Sequence, residues 1–113
     1  MRDDLVPRLI AIFVREATSR LLEMDHYLGV LEREPGDRAA LLALTHRFHS
    51  FAGVGGVEGF DLVNSLGERG ESEGRRILAH DCPPCHTEIL AWRAMVDGLA
   101  DQVRMLRGVG HSV

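Results

Sequence analysis

No apolar run in this 113-residue chain approaches the roughly 20 residues that span a bilayer, which excludes a transmembrane helix as a reading of it. No Lys/Arg cluster forms a stripe and the formal net charge is −4, so nucleic acid is a poor partner. The start, Met1-Arg2-Asp3-Asp4, carries acids where a signal peptide carries positive charge and then an apolar core. The expected compartment is therefore the cytoplasm. Cysteine is scarce, with two residues, and a structural disulfide is not expected there. Strand-like alternation, internal repeats and low-complexity segments are also missing. Glycine is frequent instead, with 12 residues, but it clusters at 53–59 and 67–74 and does not resemble a linker.

What is present is helical periodicity. Hydrophobic residues make up 45% of the chain, and the length suits one domain with a real core. Leu5, Leu9, Ile12, Phe13, Ala17, Leu21, Met24, Leu28 and Leu31 recur at spacings of three and four, which predicts an amphipathic helix of about seven turns. Asp3 or Asp4 is its expected cap, and Pro7 sits near its first turn. Glu34-Pro35-Gly36-Asp37 ends that helix and caps the next, whose buried face carries Leu41, Leu44, Phe48, Phe51 and Ala52. A third helix follows Gly59, with Phe60, Val63, Leu66, Gly70, Ile77 and Leu78 in phase. Gly67, Gly70 and Gly74 interrupt it at i, i+3 and i+7, a spacing that predicts a smooth face against a neighbour. Asp81 to Pro84 breaks the chain before a last helix with Ile89, Trp92, Val96, Leu99, Val103 and Leu106 in its seam. The expectation is an all-α, antiparallel four-helix bundle over 1–107, monomeric, with a disordered tail over 108–113.

The densest chemistry lies late in the second helix. In His49-Ser50-Phe51-Ala52-Gly53 a histidine is followed four residues on by glycine, and Gly59 follows at the tenth position. Residues four apart share a helix face. A glycine within a helix costs about 1 kcal/mol relative to alanine, which calls for a reason. Bare backbone at Gly53 and Gly56, one and two turns beyond the imidazole, suits a site that another protein must reach closely. Neutral imidazole is a competent nucleophile near neutral pH. His46, three residues before His49, shares that face. Glu68, Arg69, Glu71, Glu73, Arg75 and Arg76 read as a solvated helix face with local ion pairs.

The stretch from His49 to Phe60 resembles the signature of histidine-containing phosphotransfer (HPt) domains, His-x-Leu-Lys-Gly, then five residues, then Gly and an apolar residue. His49 falls on the phospho-accepting histidine, Phe51 on the apolar position, Gly53 on the first glycine and Gly59 on the second. The resemblance implies a four-helix bundle with the active histidine on the second long helix. It implies a phosphocarrier without autonomous catalysis, relaying a phosphoryl group between receiver-domain aspartates of sensor or hybrid histidine kinases and response regulators. No cofactor of its own is expected, since the partner receiver supplies Mg²⁺. Phe51 is expected to anchor the helix in the core and Ser50 to support the ring or the phosphate. Gly53, Gly56 and Gly59 keep the docking surface open. The chain departs from the signature at Ala52, where the family usually has lysine. His46, or a basic residue of the third helix such as Arg69, is the expected partial substitute. A helical interaction module that kept the bundle and lost phosphotransfer is the alternative that this departure supports.

Cys82-Pro83-Pro84-Cys85-His86 forms a second constellation, with His80 just upstream. Read literally, it is the Cys-x-x-Cys-His attachment pattern of c-type haem, with His86 as iron ligand. Against that reading stand the missing export signal, the position at the start of the last helix, and the glycine-flanked His49, which haem leaves unexplained. Zinc on Cys82, Cys85, His86 and His80 would crowd four ligands into seven residues. A redox pair lacks the preceding strand such pairs usually follow. The preferred reading is a turn and helix start, where proline is well placed.

Overall fold

The computed structural model describes residues 2–53 and 60–111. Those residues form four helices and no strand: α1 (Arg2–Arg33), α2 (Arg38–Ala52), α3 (Asp61–Leu78) and α4 (His86–His111). They pack as a four-helix bundle about 52 Å long, in which each helix touches its two neighbours around a ring. Every adjacent pair is antiparallel. Phe13 meets Phe51 while Glu23 meets Arg47 across α1 and α2, and Arg38 at the start of α2 donates to the carbonyls of Leu78 and His80 at the end of α3. Arg76 pairs with Glu88 across α3 and α4, and Arg107 near the end of α4 bonds Thr18 of α1. Among the described residues no helix is long and apolar enough to cross a membrane.

The core follows the apolar spacing. Met24, Leu28 and Leu31 of α1, Leu41, Leu44, Phe48 and Phe51 of α2, Val63 of α3, and Trp92 and Leu99 of α4 are almost wholly buried. Ridges of side chains at i, i+3, i+4 and i+7 from four sides fill one interior, and that burial is the main source of stability. Asp37 caps α2 as its position predicts, its carboxylate accepting from the Ala40 amide at 3.0 Å.

The α2–α3 contact is closer than side chains on this face of α3 would allow, because α3 presents glycine to it. Gly67 lies over the α2 backbone, where an added Cβ would stand 2.5 Å from the Ala52 nitrogen. Gly70 seats the ring of Phe48, and Gly74 seats Thr45, whose hydroxyl donates to the Leu41 carbonyl at 2.8 Å. All three glycines are buried. The smooth face expected from their spacing is thus the surface that brings α3 onto α2.

Three expectations change. α1 begins at Arg2, ahead of Asp3 and Asp4, so neither caps it. Leu5, Leu9 and Ile12 are in phase but exposed, because α2 ends at Ala52, opposite Phe13, and α1 runs on past it. Finally, α4 continues to His111, so residues 108–111 are helical rather than a tail beginning at 108. An exposed helix end carries on through Gly108 at a cost of only about 1 kcal/mol. Residues 112 and 113 lie outside the described residues.

Candidate functional site

Burial of Leu41, Leu44, Phe48 and Phe51 fixes the rotation of α2. Leu42, His46 and His49, spaced i, i+4 and i+7, then fall on the exposed edge facing α3. The glycine face of α3 fixes the other wall. Glu71 follows Gly70 directly and stands four residues after Gly67, so it sits at the rim of the contact and leans toward α2. Arg75 lies one turn further along the same edge. The two helices enclose a cleft of about 330 Å³, lined by Leu42, Thr45, His46, His49, Glu71, Arg75 and Leu78.

His49 is the organised group of this cleft. Its side chain is 65% exposed, yet its Nδ1 stands 2.7 Å from Oε2 of Glu71. An ionised carboxylate only accepts, so in the neutral ring the proton belongs on Nδ1 and the lone pair on Nε2. Nε2 has no partner among the described residues. The same Glu71 oxygen accepts from Nε and Nη2 of Arg75, at 3.0 and 2.7 Å. Only 15% of the Glu71 side chain is exposed. That partial burial pushes its carboxyl up. The hydrogen bonds from Arg75 and His49 and the charges of both outweigh it, and the carboxyl is held below its ordinary value. An oriented imidazole whose Nε2 has no partner among the described residues can accept an electrophile there while Glu71 stabilises positive charge on the ring.

The other residues singled out from sequence take different places. His46 lines the cleft with His49. The Ser50 hydroxyl donates back to the His46 carbonyl at 3.3 Å and does not reach the imidazole. Phe51 is buried, as an anchor would be. Ala52 is half-buried, with its amide under Gly67. Gly53 is the C-cap of α2 rather than a residue within it, and its φ of −82° is open to any residue. It is exposed, with nothing among the described residues closer than 3.9 Å to an added Cβ, so neither its backbone nor the described packing demands glycine there. Gly56 and Gly59 lie outside the described residues.

Arg69 does not line the cleft with His49. It lies elsewhere on α3, beside Glu73 of the same helix and Met95 of α4. Arg47 also turns away, pairing with Glu23 and lying 5.6 Å over the Tyr27 ring on α1. The two residues that sequence reasoning missed are Glu71 and Arg75. Their i, i+4 spacing on the rim of the glycine face was the available signal.

The cysteine constellation sits at the other end of α2, since the His80 carbonyl bonds Arg38. Cys82 and Cys85 are free and exposed, and Pro84 is buried. Glu88 folds back to accept from the Cys85 amide at 2.8 Å, which makes Cys85 the start of a capped helix. Among the described residues no group of three or more His, Cys, Asp or Glu side chains is placed to hold a metal ion.

Comparison with known proteins adds no relative: the chain matches no protein-family model, no curated protein and no solved structure.

Proposed function

We propose that this chain is a phosphocarrier of the HPt type, with His49 as phospho-acceptor. The observation that carries the reading is the His49 imidazole, held at Nδ1 by Glu71 on an open cleft, with Nε2 unpartnered among the described residues. In the forward step the Nε2 lone pair attacks the phosphorus of a partner's aspartyl phosphate. An N–P bond forms, the P–O bond to the aspartate breaks, and its electron pair leaves with the carboxylate. The Nδ1 proton stays in place, and Glu71 balances the charge that develops on the ring. The reverse step hands the phosphoryl group to another receiver. Such chemistry needs positioning and charge neutralisation more than covalent machinery. The chain is then no enzyme by itself. A cytoplasmic receiver domain brings Mg²⁺ and its own aspartate and docks at the α2–α3 edge, where Leu42, 49% exposed, offers an apolar contact.

The test is transfer from a panel of phosphorylated receiver domains to the wild-type chain, His49→Ala and His46→Ala, read as acid-labile label. Rapid labelling lost only in His49→Ala is expected. A folded wild-type protein that takes no label from any receiver would overturn the reading in favour of a helical interaction module.

A further inference from the structure

A phosphoryl group on His49 would add nearly two negative charges beside the Glu71 carboxylate, and something must offset them. The chain contains no lysine; its 13 basic residues are all arginine. Several of those on α2 and α3 are engaged elsewhere. Arg38 holds the carbonyls of Leu78 and His80, Arg47 holds Glu23, and Arg76 bridges Glu73 and Glu88. Among the described residues, Arg75 is the one arginine lining the cleft. Its side chain is 69% exposed, and only Nε and Nη2 are used, both on Glu71 Oε2. Nη1 has no partner among the described residues. A guanidinium carries five N–H donors, and its fork matches phosphate oxygens in pairs.

Resting on the phosphocarrier reading, we propose that Arg75 is the phosphoryl-binding cation of this site. It is parked on Glu71 in the unphosphorylated chain and donates to the phosphoryl oxygens on His49 Nε2 during and after transfer. The charge that the sequence lacks at Ala52 is thereby supplied from the third helix, one turn beyond the carboxylate that orients the ring. The shared oxygen of Glu71 makes the arrangement economical. One carboxylate holds the nucleophile's proton and keeps the guanidinium within reach, so no large movement precedes the bond-forming step.

Phosphoramidate, a small phosphodonor that brings no protein cation, tests this. Label at His49 would be followed by phosphorus NMR in wild type, Arg75→Ala, Arg75→Lys, Arg69→Ala, Glu71→Gln and the Glu71→Gln/Arg75→Ala double variant. Circular dichroism would confirm that each folds. The expected result is labelling about tenfold or more slower in Arg75→Ala, the scale of one lost charge-assisted contact to a phosphoryl group. Arg75→Lys recovers most of the rate and Arg69→Ala matches wild type. The Arg75→Ala loss persists in the Glu71→Gln background, because the guanidinium acts on the phosphoryl group directly. Labelling at the wild-type rate in Arg75→Ala would overturn the proposal while leaving His49 as acceptor. A loss that vanishes in the Glu71→Gln background would also overturn it, since Arg75 would then act only through Glu71. A folded wild type whose His49 takes no label from phosphoramidate or from any receiver would sink the phosphocarrier reading itself.

Discussion

Nδ1 of His49 and Oε2 of Glu71 stand 2.7 Å apart across the seam between α2 and α3. That contact depends on glycine as much as on the two residues that make it. With side chains at 67, 70 and 74 the helices could not approach as they do, and Glu71 would stand off the imidazole. The consequences are local and measurable.

The first concerns the tautomer. Glu71 holds the neutral ring with its proton on Nδ1, whereas a free imidazole in water favours the proton on Nε2. In Glu71→Ala the preference reverts, and the two ring-nitrogen shifts in long-range nitrogen–proton NMR exchange their pattern. Identical shifts in wild type and variant would mean that the carboxylate does not set the proton's position.

The second concerns pH. The Glu71 carboxyl is raised by partial burial but lowered further by Arg75 and His49, so its folded value lies below the ordinary 4.5. A depressed folded value contributes stability that is fully present above the unfolded value and is lost as pH falls through the folded one. The stability gap between wild type and Glu71→Gln is therefore expected to be open at about pH 5.5 and to close as pH falls below 4.5. Urea unfolding of both proteins at half-unit steps measures it. A gap that stays constant down to about pH 3 would contradict the assigned pairing.

The third separates the glycines by role. In Gly70→Ala the new methyl runs into the buried Phe48 ring, so overpacking outweighs the gain in helix propensity. The expected net loss is about 1–2 kcal/mol. Gly29→Ala meets only the end of Arg33, 3.9 Å away, and is expected to stabilise by about 0.5–1 kcal/mol. Gly53→Ala touches no described residue closer than 3.9 Å and should leave unfolding within about 0.5 kcal/mol of wild type. Equal effects at all three positions in chemical denaturation would show that propensity, not the α2–α3 approach, governs them.

The bundle was legible because apolar spacing reports which face of a helix is buried, and Leu41, Leu44, Phe48 and Phe51 obey it, while Ala52 at the helix end is only half-buried. His49 was legible for the same reason, since a histidine beside such a stripe must face outward. Glu71 and Arg75 were not singled out, although they stand in plain view among Glu68, Arg69, Glu73 and Arg76. Periodicity separates inside from outside, but it does not say which neighbour a flanking charge leans toward. The glycines held that information, because a helix face without side chains must meet another helix. Leu5, Leu9 and Ile12 show the converse limit. Their phase is correct, but burial requires a partner of matching length, and α2 stops short.

The fourth prediction returns to the start of α4. Glu88 accepts from the Cys85 amide through Oε1 and pairs with Arg76 through Oε2. Its carboxyl is held below the ordinary value, led by the Cys85 backbone hydrogen bond and opposed by partial burial. A carboxylate in the first turn satisfies an otherwise orphaned amide and complements the helix dipole. Glu88→Ala is expected to lower stability by about 1 kcal/mol, the usual worth of such a cap. Replacing the exposed thiols together, Cys82→Ser with Cys85→Ser, leaves the backbone amide and its carboxylate partner intact. That double variant is expected to unfold within about 0.5 kcal/mol of wild type. Thermal unfolding under reducing conditions measures both. A loss of several kcal/mol in the serine variant would show that the thiols hold this turn together, and the segment would then need an explanation beyond a capped helix start.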